Sequence, residues 1–100
     1  MNEPATSTAP TITSETVFRR PMLVCEAVRR LRGLSQVQVA ERLAVAQTRI
    51  SHIENGQRVP STLLQHYAEV VGWVGELDVL QLQWDGSDLS AYLEAPYHLD

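Results

Sequence analysis

Few side chains in this sequence are of types that do chemistry, and their spacing excludes most reactions at once. The three histidines, His52, His66 and His98, lack the i, i+3 or i, i+4 pairing of helical metal ligands. A lone cysteine, Cys25, allows neither a disulfide within the chain nor a cysteine-based zinc site. Asp85 and Asp88 flank a turn with no nucleophile or metal partner beside them, and Gly86 stands alone, so no catalytic pair and no phosphate-cradling loop is formed. The expectation is a protein that is not an enzyme and takes neither metal nor cofactor. What remains is arginine: all eight basic residues are arginines, and all lie between Arg19 and Arg58.

Their setting carries more information than the net charge of −4. Residues 19–58 set eight arginines against three acids, Glu26, Glu41 and Glu54, a balance of +5. Residues 59–100 hold seven acids and no base. A basic block beside an acidic one suits a polyanion on one side with the rest of the molecule turned away. The same arginines also fit a bland reading, as solvated helix faces.

The elements that must position them follow from periodicity. At 100 residues the chain makes one domain. Residues 1–19 are rich in Thr, Ser, Ala and Pro without a sustained period, and read as a disordered N-terminal arm that carries no secretory signal. The longest apolar stretch, 70–75, is far below the ~18 residues of a membrane span. A soluble, cytoplasmic protein without a membrane partner is expected.

Pro21 fits the start of a helix, in which Val24, Val28 and Leu31 recur at i, i+4, i+7, and Gly33 ends it. Cys25 on that apolar stripe reads as core. Ser35 with Gln38 three residues on forms a capping box for a second helix with Val39, Ala40 and Leu43 inward. A short connection through Ala44 and Val45 leads to a third helix, roughly Gln47 to Asn55, with Ile50 and Ile53 inward and Gly56 as its stop. Leu64, Tyr67, Ala68 and Val71 mark a fourth helix, closed by Gly72. In the tail, Leu80, Leu82 and Trp84 alternate with Gln81 and Gln83, which predicts a half-buried strand. Leu77, Leu80 and Trp84 also fit a helix. After the Asp85-Gly86 turn, 88–94 has room for one or two helical turns.

Two short helices joined by a tight turn, the second polar along one side, describe a helix-turn-helix. The segment LSQVQVAERLAVAQTRISHIENGQRVP resembles that of the lambda-repressor/Cro family of bacterial and phage regulators. Leu34, Ser35, Gln36, Ala40, Val45, Ile50, Ser51, Ile53, Glu54, Gly56 and Pro60 stand at the family's spacing, and the resemblance extends over about residues 22–72. Two positions depart from it. The family's turn glycine is Ala44 here, and its usual Ser or Thr cap on the third helix is Ala46.

The resemblance implies that the third helix lies in the DNA major groove. Gln47, Thr48 and His52 would then face base edges, with Arg49 beside them. Gln suits adenine, Arg suits guanine, and the Thr methyl suits thymine. Gln36, Asn55 and Arg58 match family positions that hold phosphates, which fix register without reading sequence. Arg29 and Glu54 match an ion pair joining the first and third helices.

The expected fold is mainly α: a lambda-repressor-like helix-turn-helix domain of four to five helices over residues 20–72. A C-terminal extension, 73–100, with a short strand and helix follows, and Leu80, Leu82 and Trp84 are its candidate dimerisation residues. The expected function is a transcriptional regulator, a repressor acting as a homodimer on an inverted repeat of double-stranded DNA, either of the phage or prophage type or as the autoregulator of an operon. The alternatives are an antitoxin that represses its own operon and meets a toxin or other protein through the acidic C-terminal region, or an interaction module on the same scaffold that has lost DNA binding.

Overall fold

The computed structural model describes residues 21–94. The arm expected at 1–19, and His98 near the other end, lie outside the described residues. Five α-helical elements follow in order: α1 Val24–Leu31, α2 Gln36–Leu43, α3 Gln47–Glu54, α4 Ser61–Val71 and the single turn α5 Leu77–Leu80. A 3-10 turn at Ser90–Tyr92 comes last. No helix among the described residues is long and apolar enough to cross a membrane.

The start of α2 is secured by its own sequence. Ser35 Oγ accepts from the Gln38 amide at 3.0 Å, and Gln38 Oε1 accepts from the Ser35 amide at 2.8 Å. Two donors that a helix start would leave orphaned are thereby satisfied. The turn into α3 is made differently. Ala44 takes the left-handed conformation, φ 57° and ψ 43°, and is alone in this among the described non-glycine residues. Ala46, the N-cap of α3, makes no side-chain capping bond.

The core gathers Cys25, Val28, Val39, Ile50, Ile53, Tyr67, Val71 and Leu80, all fully buried. Leu80 belongs to the tail, as do the buried Trp73 and Leu89, so residues after 72 pack on the same core as the four helices before them.

The tail departs from its expected strand. Leu77–Leu80 is helical, and no strand forms among the described residues. The choice between the two periods is made by Leu80, which the helical turn inserts into the core. Extended backbone survives only beyond it, and it pairs within the chain. The Val24 amide donates to the Leu82 carbonyl at 2.9 Å, and the Trp84 amide to the Met22 carbonyl at 2.9 Å, around an antiparallel bridge between Leu23 and Gln83. This pairing holds Met22 and Leu23 extended, so α1 begins at Val24 rather than at Pro21. A second bridge joins Trp73 to Leu93. The helical turns expected at 88–94 reduce to the 3-10 turn.

Arg32 locks these parts together. Its Nε donates to the Val71 carbonyl at 2.8 Å, and its Nη2 to the Glu94 carbonyl at 3.1 Å. A guanidinium placed on the last carbonyls of α4 satisfies orphan acceptors and complements the helix dipole.

Candidate nucleic-acid interface

The third helix has a buried side and an outer side, and its residues sort cleanly between them. Ile50, Ile53 and Glu54 are buried, while Gln47, Thr48, Arg49 and His52 are exposed. With successive residues about 100° apart around the axis, Thr48 and His52 fall opposite the buried side. Gln47 falls on the edge nearest α2, and Arg49 on the other edge.

The buried edge is anchored by a polar network. Arg29 Nε donates to Glu54 Oε2 at 2.6 Å, and Arg29 Nη2 to Glu54 Oε1 at 3.0 Å. Arg29 Nη1 also reaches the Leu34 carbonyl at 2.8 Å, at the entry to α2. The Tyr67 hydroxyl lies 2.6 Å from Glu54 Oε2 and 2.9 Å from the Cys25 carbonyl. Gln36 Nε2 completes the set at 3.0 Å from Glu54 Oε1. One buried carboxylate thus ties α1, α2 and α4 to α3. A bidentate, fully bonded pair of this kind fixes geometry, and it becomes costly only when one partner is removed.

The network continues outward. Gln47 Nε2 donates to Gln36 Oε1 at 3.1 Å, so the first residue of α3 is linked through Gln36 to Glu54. Gln36, Gln47 and Asn55 share the rim of a polar recess of about 450 Å³ whose wall includes Arg29 and Arg30. Arg30 is held there by Glu26, at 2.9 Å. Arg58 is exposed on the loop after α3, apart from this recess. Of the residues expected at dimer contacts, Leu80 is fully buried in its own core, Leu82 is exposed and Trp84 half-buried.

Two titratable groups behind the helix are neutralised by their surroundings. Burial, reinforced by the Glu54 charge, pushes the Cys25 thiol up to about 12, which makes it a packed and unreactive side chain. The same two causes raise Tyr67 well above the usual tyrosine range.

Sequence reasoning missed two side chains that position this surface. Tyr67 was legible as core, but nothing local marked its hydroxyl as a partner for Glu54. Gln81, read as the outward side of a strand, donates to the Ile53 carbonyl at 3.1 Å and to the Gln57 carbonyl at 2.9 Å. It thereby caps the end of α3 and the loop that carries Asn55 and Arg58.

Residues 26–64 match the family model described as helix-turn-helix. No curated protein and no solved structure matches the chain.

Proposed function

We propose that this chain, whose residues 26–64 match the helix-turn-helix model, is a DNA-binding transcriptional regulator of the lambda-repressor type that acts as a sequence-specific repressor. The observation that carries this reading is the outer side of α3, where Gln47, Thr48, Arg49 and His52 are all exposed on a helix anchored from behind. Gln47 reads adenine, Arg49 guanine or phosphate, and Thr48 and His52 contact the base edges between. Gln36, Asn55 and Arg58 hold the backbone. The protein acts as a homodimer on an inverted repeat, because one unit of this size buries too little DNA for tight specific binding.

Selection of DNA fragments by the purified protein yields the operator. Affinities for operator and scrambled DNA are then measured across a salt series. Gln47→Ala should lose about 1–3 kcal/mol at its own base pair and relax preference there. Arg58→Ala should weaken binding to every sequence alike and make the log–log salt slope shallower by about 1. Failure to select any preferred site, with both variants indistinguishable from wild type, rejects the reading.

A further inference from the structure

The acidic tail and the start of α1 enclose an apolar groove of about 440 Å³. Trp73 and Tyr92 lie within it, stacked with ring centroids 5.3 Å apart and planes 28° from parallel. Trp84 and Leu82 add to its apolar lining, together with Val24, Val79 and Leu89, Leu82 being 55% exposed and Tyr92 48%. Both indole N–H groups already have acceptors: Trp73 Nε1 donates to the Glu76 carbonyl and Trp84 Nε1 to the Ser87 carbonyl, each at 3.0 Å. The rings are therefore oriented before anything binds, which lowers the ordering cost for an incoming group.

The charged side chains of this groove are Glu76 and Asp85, and no arginine or histidine is among the described residues that line it. Ser87, through its side chain and through its amide, which donates to Asp85 Oδ1 at 2.9 Å, holds that carboxyl below its usual range, so it is ionised at neutral pH. An aromatic-lined cavity of this volume with two carboxylates suits a small ligand with an apolar body and a positive end. A second copy of the chain suits it poorly. Two-fold pairing over the groove would bring the Glu76 and Asp85 carboxylates of both copies into one interface with no base among the described lining residues.

We propose that this groove is a binding site for a small organic cation with an aromatic body. The cation sits between Asp85 and Glu76 while the body lies against Trp84, Tyr92 and Leu82. The chain's two tryptophans, Trp73 and Trp84, both line the groove, so tryptophan fluorescence, excited where tyrosine does not absorb, reports on it.

The full chain is titrated with phenethylammonium, and with 2-phenylethanol and 3-phenylpropionate as neutral and anionic controls. A saturable fluorescence change is expected for the cation, about tenfold tighter than for the alcohol, with the anion weaker still. Glu76→Gln combined with Asp85→Asn should erase the preference for the cation, because a side-chain amide oxygen still accepts from the Ser87 amide while the charge is gone. If the double variant melts early, Asp85→Asn alone, at an exposed side chain, carries the test. Equal affinity for all three probes, no saturable change, or a preference that survives the substitutions overturns the proposal. So does a halved mass in light scattering for Leu82→Lys, which would assign the groove to a second copy. No DNA enters the readout, so the result is independent of the DNA-binding reading.

Discussion

The two ends of α3 are held by opposite means. At the C-terminal end, Glu54 accepts from Arg29, Tyr67 and Gln36, and the Ile53 carbonyl accepts from Gln81. Four other segments of the chain thus converge on the last turn. At the N-terminal end, Ala46 offers no capping side chain and Ala44 sits in a left-handed conformation that strains an alanine. Among the described residues, the side-chain tie there is the bond from Gln47 to Gln36. The helix is therefore aimed from its far end, like a rod clamped at its base, while the end that carries Gln47, Thr48 and Arg49 keeps its first amides uncapped by side chains.

The most severe way to break this asymmetry is to remove the clamp. Glu54→Ala leaves Arg29 as a buried cation and strips Tyr67 and Gln36 of an acceptor. A loss of about 3–5 kcal/mol is expected, measured by urea unfolding. A loss near zero would mean that the C-terminal end is held by apolar packing alone, and the contrast between the two ends would vanish.

A smaller cut is Tyr67→Phe, which keeps the ring in the core and deletes only the hydroxyl. About 1–3 kcal/mol should be lost at neutral pH. The pH dependence sharpens the assignment. Tyr67 is raised in the folded state above its ordinary value of 10.0. Its contribution is therefore complete below that value and is lost as pH rises through the folded pKa, since the unfolded chain ionises first. Cys25, raised from 9.0 to about 12, acts in the same direction and begins earlier. Stability should thus fall from about pH 9 upward, and Tyr67→Phe should flatten only the later part of the decline. A variant with the same alkaline profile as wild type would remove Tyr67 from the network.

The same contrast explains what was legible in the sequence. The capping box of α2 rests on Ser35 and Gln38, three residues apart, and the helix stops rest on Gly33, Gly56 and Gly72, so local spacing was enough. The Arg29–Glu54 pair joins residues too far apart for periodicity to reach, and only the family resemblance pointed to it. Nothing pointed to Gln81, whose acceptors Ile53 and Gln57 lie on another element. Leu80, Leu82 and Trp84 satisfy a period of two, while Leu77, Leu80 and Trp84 satisfy a helical period. The decision falls to tertiary structure: Leu80 is taken into the core, and the backbone at 82–84 finds Met22 and Val24 instead of a neighbouring strand.

The gentlest changes act at the loose end. Ala46→Ser restores a side-chain oxygen to the N-cap, whose backbone already has the extended geometry, φ −71° and ψ 148°, that such a cap requires. A gain of about 1 kcal/mol is expected. Ala44→Gly removes the left-handed penalty of about 1–2 kcal/mol, but glycine also loosens the unfolded chain by about 0.4–1 kcal/mol. The net gain should lie between about 0 and 1.6 kcal/mol, a rise of up to several degrees in melting temperature for a domain of this size. Ala44→Val separates strain from entropy, because a β-branched residue at positive φ adds strain without freeing the unfolded chain, and it should lower stability where glycine raises it. If glycine and valine shift the melt in the same direction, the left-handed turn is not what limits this end of α3, and its looseness must come from the missing cap alone.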